Sequence, residues 1–216
     1  MEAINSYQKA FNIFKENIGS SIIGFIVFGI LVGIVSGIAV GALFIIPLIL
    51  GAVLGGAGGL IGLLIGGLIA FVVMVVGQGL FGGGAVSYFL ALAAGGKPSV
   101  SMLALPPRKV TFIVYGILFT VVTMVTFGFG AWFTVWGFWM IANEGLGAID
   151  ALKKSVGFAI GNIVDTIVFF IVAGIAYTIG AVLFGIGLFA AIPVILLAQA
   201  VQYSTLSGAK LSVPRE

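Results

Sequence analysis

The residues able to do acid–base or metal chemistry are few. Glu144, Asp150 and Asp165 are the acidic groups that could meet at one face, and Lys153 and Lys154 beside them offer ordinary ion pairing. The chain has no His and no Cys, which removes disulfides, thiol chemistry and metal or proton-relay sites built on imidazole. A lipid phosphoryl enzyme calls for metal-binding carboxylates or an Arg–His cluster. No such convergent set is present, so the expectation is a protein that is not an enzyme, with no catalytic, metal or cofactor site and no cofactor.

Polar groups within the apolar stretches are amides: Gln78, Gln199 and Gln202. An amide in hydrocarbon needs a partner, and interhelical bonds of this kind are worth about 0.6 kcal/mol each. The three either tie helices together or line a polar path. No Asp, Glu, Lys or Arg falls in mid-stretch, which argues against proton coupling, voltage sensing and most ion-coupled transport. Gly29, Gly33, Gly37 and Gly41 are spaced by four and share one helix face. Such overlapping small-residue motifs let another helix backbone approach closely, either within one subunit or between subunits. Gly51, Gly55 and Gly59 continue the spacing, as do Gly58, Gly62 and Gly66. Trp132, Trp136 and Trp139 form an aromatic ridge suited to packing or to lipid.

The elements that position these residues follow from the scarcity of charge. Of 216 residues 62% are hydrophobic and 7% charged, against roughly 25% charged in soluble domains, so the chain belongs in a membrane. Its fifteen charges (nine basic, six acidic) fall in four clusters, Glu2–Glu16, Lys97–Lys109, Glu144–Asp165 and Lys210–Glu216. Between them lie uncharged stretches at 17–96, 110–143 and 166–209. A span needs roughly 20 apolar residues. An even number of spans in each stretch puts every Lys and Arg on one side, the cytoplasmic one by the positive-inside rule. The prediction is six spans at 18–41, 66–94, 109–128, 131–143, 162–183 and 186–208, with both termini cytoplasmic. The fourth is short and is expected to continue past Asn143. Residues 41–67, glycine-rich and holding Pro47, fit a re-entrant hairpin, overlong kinked helices or additional spans. Pro106-Pro107 ends the preceding segment, and Arg108 and Lys109 anchor the third span at the headgroups.

The chain also matches itself. At an offset of 145, residues 3–30 and 148–175 share 11 of 28 positions, including Lys9 with Lys154 and Asn17 with Asn162. Ile46-Pro47 recurs as Ile192-Pro193, and Tyr88 has its counterpart in Tyr203. The predicted fold is therefore all-α: a polytopic membrane helix bundle, one membrane domain over 1–216. Repeat unit one is 1–98, a linking hairpin 99–143 and unit two 144–210. With an even number of spans between them the units are parallel. Each opens with a short interfacial amphipathic helix on the cytoplasmic side. Ile4, Tyr7, Phe11, Phe14 and Ile18 make its apolar face in the first unit; Ile149, Leu152, Val156, Ile160 and Ile163 do so in the second.

One segment resembles a known family. Glu144-Gly145, then Asp150-Ala151-Leu152, Lys153-Lys154-Ser155 and Gly161-Asn162 opening a span are similar to a motif of prokaryotic integral membrane proteins related to the glycerophosphodiester phosphodiesterase membrane domain. The likeness covers 142–208, and the rest by architecture. It implies a six-helix protein in a prokaryotic plasma or inner membrane, and nothing catalytic comes with it. The expected role is that of a membrane-organising, lipid-binding or transport-accessory component assembled through glycine-rich faces. The alternative is an oligomeric channel or uncoupled facilitator. The expected partners are the lipid bilayer and either further copies or another membrane protein, with no nucleic acid.

Overall fold

The uncharged run from residue 17 to 96 becomes one helical element that reverses at a single glycine. In the computed structural model, which describes residues 2–183 and 185–214, α1 covers Glu2–Glu16 and α2 covers Ile18–Ala93. Gly55, at φ 71° and ψ −158°, turns α2 back on itself. Only a residue without Cβ takes such a conformation readily. The two arms run antiparallel, with Gly59 beside Gly51, Gly62 beside Pro47, Gly66 beside Ala42 and Gly77 beside Val35. Residues 41–67 are thus two overlong helices, with neither a re-entrant loop nor extra spans.

Four-residue spacing on the second arm makes this closeness possible. A Cβ at Gly58, Gly62 or Gly66 would run into the first arm's backbone at Leu50, Pro47 and Ala42. Small residues at such spacing replace the missing hydrophobic drive between helices with close van der Waals contact. The first-arm stripe does not pack in this way. A Cβ at Gly29, Gly33 or Gly37 would meet nothing within 4 Å, and one at Gly41 only Ile45 of its own helix. Within the chain that stripe is an open face.

After a short α3 (Ser101–Ala104), α4 runs from Lys109 to Val125. The turn through Phe127 and Gly128, both at positive φ, leads into α5 (Gly130–Thr134) and α6 (Trp136–Glu144). Val135 between them is itself helical, so they form one rod. This segment runs from Gly130 to Glu144, one residue beyond each expected bound, and stops there because Gly145 takes the left-handed cap at φ 72°. Then follow α7 (Ala148–Gly161), α8 (Ile163–Val182) and α9 (Leu188–Ser207). The described residues contain no strand. α2, α8 and α9 are long and apolar enough to cross a membrane, and α4 is apolar but shorter. The molecule is an all-helical membrane protein.

The amphipathic helices bury a face only partly shared with the one their large residues mark: Phe14 is buried and Tyr7, Leu152 and Val156 are half-buried. In α1 the buried residues are Ala3, Ser6, Ala10 and Phe14, and in α7 they are Ala148, Ala151, Ser155 and Ala159. Ile4, Phe11 and Ile18 are exposed, as are Ile149, Ile160 and Ile163. α1 lies against α9, and α7 against α4, α5 and α6, so small residues admit the neighbouring backbone while large ones face outward. Both helices end in the same break. Asn17 (φ −128°, ψ 34°) and Asn162 (φ −125°, ψ 39°) each donate a side-chain bond to the carbonyl four residues back, at 3.0 and 2.9 Å. An Asn amide competing for that carbonyl bends the helix and starts a new one.

The core gathers at the end of the hairpin away from Gly55. Trp136, Trp139, Tyr115, Phe112, Phe89 and Phe169 are fully buried there. Trp136 packs on Phe158, Phe169 and Phe170. Trp132, at 42% exposure, stacks on Phe170. The aromatic ridge is therefore a packing surface. The core cluster takes in no hydrophobic side chain of α2 between Leu31 and Ala85, although Gly79, Gly83 and Gly84 lie against Phe112, Ile113 and Leu103.

Candidate functional site

The described polar side chains converge most densely where α6 ends. Gly145 donates its N–H to Ile141 O at 3.1 Å and terminates the helix. That leaves Glu144 on the last turn, facing its neighbours. One carboxylate oxygen accepts the Tyr203 hydroxyl from α9, and the other accepts Lys154 from α7. Three helices thus meet on a single side chain, the only ion pair among the described residues.

Asn143, one residue earlier, holds the chain's end. Its Oδ1 accepts from Ser212 N and Oγ at 2.9 and 3.1 Å, and its Nδ2 donates to Lys210 O at 3.3 Å. Val213 packs beside Gly96. Of the last charge cluster, Arg215 and Glu216 lie outside the described residues.

Arg108 completes the site from a third direction. It is the N-cap of α4 and sits in the left-handed region at φ 61°, uncommon for a residue with a side chain. Its Nη1 donates to Gly145 O at 2.7 Å, a bond that also suits the negative end of α6. A Cβ on Gly145 would lie 2.5 Å from Nη2, so glycine is needed there for the guanidinium as well as for the positive φ. Arg108, Asn143, Glu144, Gly145 and Ser212, with Ala142 and Val213, enclose a cavity of about 260 Å³.

The other motif residues have separate places. Ser155, buried, donates to Phe133 O at 2.7 Å and pins α7 to α5. Ala151 is fully buried and Leu152 half-buried in the same packing. Asp150 is exposed in the first turn of α7, where its charge favours the positive helix end. It lines a second cavity of about 400 Å³ with Val110 and Thr111 at the start of α4. Asn162 makes the break already described. Glu144 and Gly145 therefore belong to the cavity near Arg108, while Ser155 and Asn162 shape the helices behind it.

The three glutamines are not brought together. Gln78 is exposed and accepts the Thr120 hydroxyl of α4 at 3.2 Å. It borders a cavity of about 350 Å³ between the arms, walled by α2 alone, with Phe28, Val35 and Phe81 among its residues. Gln202 is fully buried, donates to Asp165 O at 3.0 Å and leaves Oε1 without a partner. Gln199 is nearly buried on the same helix. Gln78 ties α2 to α4, and Gln202 ties α9 to α8.

Tyr88 and Tyr203 likewise differ in partner. Tyr88 donates to Ser20 O at 2.8 Å, closing the hairpin, whereas Tyr203 serves Glu144. Burial raises the Tyr7 phenol above its ordinary value, keeping it a neutral donor to Phe169 O at 3.2 Å. No group of three His, Cys, Asp or Glu residues that could hold a metal occurs among the described residues. Arg108 and Asn143 were not legible as parts of this site: Arg108 stands 37 residues from Gly145, and nothing local in the sequence links them. The chain matches no protein-family model, no curated protein and no solved structure.

Proposed function

We propose that this chain is a non-enzymatic, six-span membrane protein built from two parallel copies of one unit. Its role on this reading is to organise or bind lipid, or to serve a transport complex, and it assembles through its glycine face. The duplication is supported by the four buried positions of α1, each recurring 145 residues later in α7, and by the matching breaks at Asn17 and Asn162. It is supported again where the hairpins close: Ser20 O receives Tyr88, and Asp165 O, 145 residues on, receives Gln202. The similarity of residues 142–208 to membrane proteins related to the glycerophosphodiester phosphodiesterase membrane domain fits the same plan.

One observation carries the functional part. The long hairpin exposes large apolar side chains on every side, from Ile34 to Met74, and its open glycine face meets no atom of the chain. A surface of this kind is completed by lipid or by another helix. On this proposal the decisive variant is Gly33→Leu. It is expected to reduce the detergent-extracted particle size while leaving monomer stability within a few degrees. An unchanged size would show that the face looks only at lipid. Liposomes carrying the wild-type protein are expected to stay tight to small ions and solutes, and a dose-dependent flux would replace this reading with that of a channel. The proposed sidedness is tested with single cysteines in a chain that has none. Lys9→Cys and Ser99→Cys are expected to label from the cytoplasm, and Ala57→Cys, at the hairpin tip, from the opposite side.

A further inference from the structure

We propose that the cavity beside Arg108 binds the phosphate of an anionic headgroup, an inference that rests on the lipid-binding reading above and names its ligand chemistry. The cavity, about 260 Å³, has a polar wall on which Arg108 and Glu144 are the charged side chains. Glu144 is already satisfied by Lys154 and Tyr203. Arg108 has no carboxylate within ion-pair distance among the described residues. The charge left over is that of the guanidinium.

Its geometry suits a phosphate. One Nη1 bond to Gly145 O fixes the plane of the group, and the bare Gly145 backbone supports it from beneath. Arginine has five donors in a rigid fork, so one anchoring bond leaves others to reach two oxygens of a single anion. Arg108 also holds a left-handed backbone, a conformation that persists where surrounding structure enforces it. Being the N-cap, it stands at the positive end of α4, which adds to the field for an anion. Lys109 follows directly in sequence. Leu105 and Val110, close to Arg108 in sequence, are 65% and 68% exposed and offer apolar surface to acyl chains.

The chemistry is that of a phosphate-bearing anion, supplied either by a lipid headgroup or by a soluble phosphate. The full chain in neutral detergent is titrated with phosphatidylglycerol, phosphatidylcholine or inorganic phosphate, and thermal unfolding is followed. Phosphatidylglycerol is expected to raise the midpoint by several degrees more than phosphatidylcholine. Its apparent affinity is expected to fall about ten-fold or more in Arg108→Gln, since a charged hydrogen-bonded contact is lost, and by less in Arg108→Lys. Lys153→Gln, on the exposed face of α7, is expected to match wild type. Ser212→Glu, which places a negative charge on the cavity wall while leaving Arg108 intact, is expected to lose the same preference should Arg108→Gln fail to fold. Protection by inorganic phosphate alone, dependent on Arg108, would support the site and assign it to a soluble anion. Equal responses of wild type, Arg108→Gln and Ser212→Glu, or no gain from either phosphatidylglycerol over phosphatidylcholine or inorganic phosphate, would overturn it. The assembly reading is judged separately, by the particle size of Gly33→Leu.

Discussion

At the scale of single residues, the junction at Glu144 shows how few polar groups hold this bundle together. Its carboxylate takes one donor from α9 and one from α7. Hydrogen bonds to a charged group contribute about 1.5–3 kcal/mol, more than neutral ones. Tyr203→Phe is therefore expected to lower stability by about that amount, measured as the urea midpoint in mild detergent. Lys154→Gln, whose side chain is 49% exposed, is expected to cost less than 1 kcal/mol, as ion pairs open to solvent do. If the two variants were equally destabilised, the junction would be held by its ion pair, not by the phenol. Gly145→Ala combines a strained backbone with a methyl group pressed against the Arg108 guanidinium. It is expected to cost about 1–3 kcal/mol, and to displace Arg108 even where the helix cap survives.

At the scale of elements, the two glycine stripes look alike in sequence and differ in surroundings. Gly58, Gly62 and Gly66 lie against the first arm's backbone, while Gly29, Gly33 and Gly37 face open space. Gly62→Leu is expected to force the arms apart near Pro47 and to broaden the thermal transition. Gly33→Leu is expected to spare the fold, so a loss of folded yield there as well would mean that the first stripe packs within the chain. Spacing alone could not separate the two, because the close approach depends on where the chain reverses, and Gly55 was one of many glycines in that run. The amphipathic helices hold the same lesson. Their extent was legible from polar and apolar periodicity, yet the buried face follows Ala3, Ser6 and Ala10, because close helix contact in a membrane favours small residues over large ones. Helix boundaries were legible within a few residues, from Lys109 at the start of α4 to the turn between α8 and α9, because apolar length and charge placement mark them. The cavity near Arg108 was not, since it joins the start of α4, the end of α6 and the chain's last described residues.

At the scale of the whole molecule, the hairpin does not match the thickness of a bilayer. Each arm of α2 runs through about 37 residues, or roughly 55 Å at 1.5 Å per residue, against a hydrocarbon core of about 30 Å. Tilt alone would have to reach roughly 57°, beyond the range of about 0–40° seen for spans. Yet the arms carry no charge to end their apolar surface, and the core cluster takes in no hydrophobic side chain of α2 between Leu31 and Ala85. The excess length therefore contributes little to the stability of the bundle and a great deal to its surface. Removing 44–54 and 56–66 together, about three full turns from each arm, keeps Gly55 as the reversal and leaves the helical register nearly unchanged. The shortened protein is expected to retain its core packing, with intrinsic Trp fluorescence close to wild type and an unfolding midpoint within a few degrees. It is expected to keep association between copies in detergent and in lipid nanodiscs, because Gly29, Gly33, Gly37 and Gly41 remain in place. Should the shortened protein lose association, the contact between copies would lie in the distal half of the hairpin and not on that glycine face.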